Sequence, residues 1–137
     1  MKKDIEFRSV DDVLIAILPQ ITQPEGQLWE VYLINLKATP ISSVLVSSKG
    51  FGEVNGEDLQ TSALRHFFAS VPALSYQKIE NIHEDVFNLN NQYWLSFSHE
   101  NHLYDRKFLF PSESIHPDNF DSIPLINRQG ITLDEPG

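Results

Sequence analysis

An arginine next to a histidine can clamp a carboxylate and move a proton, and the chain holds one such pair, Arg65 and His66, inside "SALRHFF". A guanidinium grips a carboxylate through two parallel hydrogen bonds, and an imidazole titrates near neutral pH. Both residues stand beside phenylalanines, where an arginine stacks on a ring and a histidine satisfies a backbone carbonyl. Neighbours on a strand project to opposite faces, so the pair shares a pocket only if the segment bulges or is helical. A structural role is the stronger expectation, and ligand binding by Arg65 or His66 is the alternative.

The stretch "SHENHLYD" is a second candidate, with His99 and His102 facing each other across a turn and Glu100 and Asp105 nearby. Imidazoles and carboxylates suit zinc or nickel, but a stable site takes three or four ligands, and only two are well placed. The spacing is H-E-x-H on a turn, not the helical H-E-x-x-H of zinc proteases. His99 and His102 are weak metal candidates, expected as solvated loop residues, with His83 and His116 in separate loops. In "GFGEVNG" (50–56), Glu53 opposes a phosphate and no Gly-Lys-Ser/Thr follows, so a strand end and turn is expected. No G-x-S-x-G elbow occurs. A carboxylate pair such as Glu80 and Glu84 reads as solvated surface. No catalytic residue and no cofactor is indicated.

The elements that would position these residues are short apolar runs cut by turn-formers, eight prolines and six glycines among them. "VLIAIL" (13–18) reads as a buried strand closed by Pro19. "LWEVYLINL" (28–36) has Trp29, Val31 and Leu33 on one face and Tyr32, Ile34 and Leu36 on the other, as in a strand covered on both sides. Pro40 marks a turn, "ISSVLVSSKGF" (41–51) sets Val44 and Val46 on one face, and Asn55–Gly56 is a tight-turn signal. Segment 62–71 fits a helix by period, yet the turn and strand that follow it favour a strand. "EDVFNL" (84–89) allows one helical turn. "NQYWLSFS" (91–98) and "LYDRKFLF" (103–110) form the clearest hairpin. A loop at Glu100–Asn101 sets Phe97 against Tyr104, Leu95 against Arg106 and Tyr93 against Phe108. The expected fold is all-β: a single two-layer antiparallel β-sandwich over 1–137, immunoglobulin-like, with at most one or two short helical turns. Residues 111–137 are expected as a loop-rich segment packed on it, with "LDEPG" free.

Size and composition agree with one core. The chain has 137 residues, 41% of them hydrophobic, with nine Phe, four Tyr and two Trp. It has no cysteine, which removes disulfides, thiolate catalysis and sulfur-bound zinc. Ten basic against nineteen acidic residues give a net charge of −9, and Glu80 to Asp105 holds no lysine or arginine. Nucleic-acid binding is not expected of such a chain, since it rests on Lys and Arg neutralising phosphates. No apolar run approaches the roughly 20 residues of a membrane span, and the two amino-terminal lysines precede no apolar segment. A soluble cytoplasmic protein without membrane contact is expected.

The stretches "MKKDIE", "WEVYLINL", "VLVSSKGFGE", "TSALRHFF", "YQKIE", "LNNQYWLSF", "KFLF" and "IPLINRQGI" run in order along nearly the whole chain. In them the chain resembles a family of small, acidic, uncharacterised bacterial proteins, some labelled phenylalanyl-tRNA synthetase α subunit. That label implies aminoacylation, but the arginine-bearing motifs of a class II synthetase core are not found, and the resemblance implies no site residue. The leading functional expectation is a non-enzymatic interaction module, with Trp94 or Trp29 on an outer face anchoring an unknown protein partner or a second copy. The alternative is a small-ligand or metal-binding domain, or an unrecognised enzyme, built on Arg65 and His66 or on His99 and His102.

Overall fold

In a computed structural model of the chain, which describes residues 6–23 and 25–133, the apolar runs become eleven strands in two facing sheets. The first sheet contains β1 (Phe7–Ser9), β4 (Ile41–Val54), β5 (Glu57–Gln60), β6 (Leu64–Val71), β8 (Asn90–His99) and β9 (His102–Phe110). Its order is β1-β9-β8-β4, with β5 and β6 pairing successive parts of the long β4. The second sheet runs β10-β11-β2-β3-β7, from β2 (Val13–Pro19), β3 (Leu28–Asn35), β7 (Ser75–His83), β10 (Asp121–Ile123) and β11 (Arg128–Thr132). Every pair is antiparallel except β1 with β9, which is parallel. The helical content is two single 3₁₀ turns, Glu84–Val86 and Pro117–Asn119. Among the described residues, no helix is long and apolar enough to cross a membrane. The fold is the expected all-β sandwich, and segment 62–71 forms a strand over Leu64–Val71.

Turn chemistry sets the hairpins. Asn55 and Gly56 take φ of 52° and 81° between β4 and β5, the left-handed geometry a two-residue hairpin turn needs. Glu100 and Asn101, at 49° and 65°, do the same between β8 and β9. The pairing there is as alternation requires: Phe97 with Tyr104, Leu95 with Arg106, Tyr93 with Phe108 and Trp94 with Lys107. Tyr93, Phe97, Phe108 and Phe110 therefore line the inner face, packed on Ile15, Ile17, Val31 and Leu33 of the second sheet.

Trp29 faces this interior. It is 4% exposed and contacts Phe87 edge-on at 5.3 Å, so the expectation of an outward anchor there is corrected. The alternation in β3 explains why: Trp29 shares a face with Val31 and Leu33. The opposite face of β2 and β3 is covered too. Ala16, Leu18 and Ile34 pack on Ile123, with Leu125 and Ile126 beside them. The carboxy-terminal segment is thus part of the fold. Its β11 pairs with β2, Ile131 opposite Ile17, and Leu133 packs on the core, while the rest of "LDEPG" lies outside the described residues.

Asn35 ties two crossings between the sheets together. Its buried Nδ2 donates to the carbonyls of Thr39 and Pro72, and its Oδ1 accepts from the Lys37 N–H. Those two crossings carry β3 into β4 and β6 into β7, which brings β6 and β7 side by side at one flank of the sandwich.

Candidate functional site

A bulge in β7 creates the polar centre of the molecule. Strict alternation along "SYQKIENIH" would group Glu80 with Tyr76 and Lys78, which face outward. Between Val31 and Tyr32 the β3 register slips: Val31 pairs with Glu80, but Tyr32 pairs with Lys78. Ile79 is the extra residue, and it is buried. Such a bulge re-aims every side chain beyond it. Here it turns Glu80 and Ile82 toward the other sheet.

Three strands of the first sheet meet that carboxylate with donors. His66 Nε2 of β6 lies 2.7 Å from Glu80 Oε1, and the Ser48 hydroxyl of β4 donates to the same oxygen at 3.1 Å. The Tyr93 hydroxyl of β8 donates to Oε2 at 2.9 Å. Ser48 and Tyr93 are cross-strand partners, which explains their convergence. The Glu80 side chain is 12% exposed, so its charge has lost most of its water and is compensated by these three bonds. The expectation of a solvated surface carboxylate is corrected for this residue.

The wiring decides which chemistry is open. In a serine-histidine-acid triad the imidazole stands between hydroxyl and carboxylate. Here the carboxylate stands between them, and both Ser48 and His66 spend their bonds on Glu80. Tyr93 is no base either. Burial, then the charge of Glu80 and its hydrogen bond, push the phenol well above its ordinary value of 10.0, so it remains a donor at neutral pH. Glu80, Ser48 and Tyr93 lie in the floor of an open cleft of about 300 Å³. Asn91, Ile82 and Val86 line it further in, and Leu64 and Thr61 stand at its rim.

Arg65 belongs to the opposite surface. Its neighbour His66 turns inward, whereas Arg65 stands on the outer face of the first sheet, opposite Ser47. The two do not share a pocket. With Phe7, Leu45, Trp94 and Asp105, Arg65 lines a groove of about 310 Å³. Trp94 is 45% exposed, and its indole N–H donates to Asp105 Oδ2 at 3.1 Å. Lys107 holds its ammonium 4.5 Å from the Trp94 ring centre, in cation–π contact. Phe67, two residues from Arg65 and opposite Leu45, is 64% exposed.

Three of the remaining four histidines serve local structure. His99 and His102 pair across the turn as expected, but they are not both solvated. His99 is buried against Tyr104, with Nε2 2.6 Å from Thr39 Oγ1, while His102 is exposed. His83 and His116 each accept, through Nδ1, the backbone N–H two residues on, and so cap the two 3₁₀ turns. Glu80, Ser48 and Tyr93 were not legible as a group. A bulge carries no residue signature, and the three come from separate strands. The chain matches no protein-family model and no curated protein.

Proposed function

We propose that the chain is a non-enzymatic interaction module that docks a protein partner on the outer face of its first sheet, through a partner segment bearing a carboxylate among apolar side chains. The observation that carries this is the Arg65 guanidinium. It has no hydrogen-bond or ion-pair partner among the described residues, and it stands in a groove walled by exposed Trp94, Leu45 and Phe7. A guanidinium beside rings offers bidentate binding of a carboxylate together with apolar contact, the combination that concentrates binding energy at interfaces. Lys49 and Lys107 also lie on this face of a chain whose net charge is −9. Arg65 and Lys107 outnumber Asp105 around the groove, so charge complementarity favours an acidic segment.

The scaffold supports the reading. We read its pairing, β2-β3-β7 against β9-β8-β4-β6 with β1 parallel to β9, as an immunoglobulin-like Greek key with one early strand switched between sheets. We place the module in the cytoplasm, which a cysteine-free chain suits.

Affinity capture from the native cell, followed by titration of the purified captured protein, tests the proposal. Trp94→Ala with Arg65→Glu should leave the fold intact and weaken the complex by at least about 30-fold. Equal binding of wild type and double variant, or a complex formed only between copies of this chain, overturns it.

A further inference from the structure

The cleft between β6 and β7 carries a chemistry unrelated to the outer face. Its floor has spent its donors. The Ser48 and Tyr93 hydroxyls and His66 Nε2 point at Glu80. Asn91 Nδ2 donates to the carbonyls of Val86 and Leu89 at 2.9 and 3.1 Å, which fixes the orientation of the amide. What the floor leaves for a guest is a set of acceptors, while Lys49, Ser62, Asn81 and His83 also line the cleft. Asn91 Oδ1 accepts no hydrogen bond from a described residue and lies beside the inner surface of Gly50. The Glu80 carboxylate has about four acceptor positions, of which three are filled.

The charge points the same way. His66 is the only described group in ion-pair distance of Glu80, so the floor sets a buried carboxylate against a single imidazole. Lys49 also lines the cleft, but its ammonium is engaged over the Phe51 ring, 5.6 Å from the ring centre. Ile82, Val86 and Leu64 add apolar wall, and the volume of about 300 Å³ is that of a small-molecule site.

We propose that this cleft binds a small organic cation, an ammonium or amidinium on a compact apolar body, with Glu80 as its counter-ion and Asn91 Oδ1 as its second acceptor. Gly50 leaves room for it. A Cβ there would come within 3.4 Å of Asn91 Oδ1 and 3.2 Å of Thr61 Cγ2, narrowing the passage between rim and floor.

Three probes of one shape separate charge from fit: benzamidine, benzamide and benzoate, titrated into the full ¹⁵N-labelled chain at one fixed pH. Benzamidine should saturate at one site and move the amide signals of Ser48, Gly50 and Asn91. Benzamide should bind at least about tenfold more weakly, and benzoate not at all. Glu80→Gln should cost benzamidine at least about tenfold in affinity. Should that variant fail to fold, Leu64→Trp, at an exposed rim position outside the Glu80 cluster, should weaken benzamidine equally by closing the mouth. Equal affinity for the three probes, tighter binding of benzoate, or no saturable shift at millimolar benzamidine overturns the proposal. So does benzamidine binding that both variants leave unchanged.

Discussion

Glu80 is a carboxylate at a sheet–sheet boundary, and its environment makes the cost of removing it asymmetric. Glu80→Ala leaves Ser48, His66 and Tyr93 without their acceptor, and unmade bonds of buried groups cost more than made ones contribute. Its unfolding free energy should fall by about 2–4 kcal/mol. Tyr93→Phe removes one hydroxyl and should cost about 1 kcal/mol. Urea denaturation measures both, and the reverse order would mean that the phenol organises the cluster. Tyr93 also predicts a pH signature. Its folded value is raised above 10.0 by burial first and by Glu80 second, while the unfolded phenol ionises at its ordinary value. The contribution is therefore complete below about pH 10 and is lost as pH rises further, by about 1.4 kcal/mol per unit. The margin of wild type over Tyr93→Phe should shrink between about pH 9.5 and 11, since Tyr32, also raised, is common to both proteins. A margin constant across that window contradicts the assignment.

Elements differ in how openly the sequence declares them. The β8–β9 hairpin is legible to the residue, because alternation and a two-residue turn leave one register that buries Tyr93, Phe97 and Phe108 together. β7 is not. Its alternating pattern is broken by an inserted residue whose apolar side chain, Ile79, finds the core on the same side as Glu80. Nothing local in "QKIEN" distinguishes that from an ordinary strand. The carboxy-terminal strands are hidden for another reason. Three- and five-residue pieces around "PLINRQG" resemble loop, and only their fit against β2 makes them strands. Gly130 records that fit. A Cβ there would meet Leu18 Cγ at 2.7 Å and the Ile17 carbonyl at 2.9 Å, and the latter is backbone that cannot swing away. Gly130→Ala should destabilise by about 1–3 kcal/mol through overpacking. Hydrogen exchange at Ile131 should quicken before that of the β8–β9 hairpin, because the strain falls on the β11–β2 pairing. Uniform acceleration across both sheets would show that β10 and β11 unfold only with the whole molecule.

At the scale of the molecule, the nineteen acidic against ten basic residues and the basic groups Arg65 and Lys107 about the groove predict opposite responses to one variable, salt. Within the folded chain the surplus acids repel one another, and compaction brings them closer than in the unfolded state. Raising ionic strength from 0.01 to 0.15 M shortens the screening length from about 30 to about 8 Å, which relieves that repulsion. The ion pairs do not offset this. Lys78–Glu30 and Lys37–Asp11 each involve a partly or fully exposed partner and contribute little, and Arg128–Glu30 is a close pair that salt screens less. Thermal unfolding should therefore shift upward by about 3 °C over that range, as a gain near 1 kcal/mol implies for a domain of this size. The proposed complex should weaken over the same range, because attraction between Arg65, Lys107 and a partner carboxylate is screened by the same ions. Arg65→Glu separates the two effects. It reverses the charge facing the partner carboxylate, so the salt-induced weakening of binding should shrink or invert, while the upward shift of the melting temperature, which arises from the whole surface, remains. A melting temperature that falls with salt would mean that specific pairs dominate the surface field. A complex that tightens with salt would mean that apolar contact at Trp94, Leu45 and Phe7, rather than charge, selects the partner.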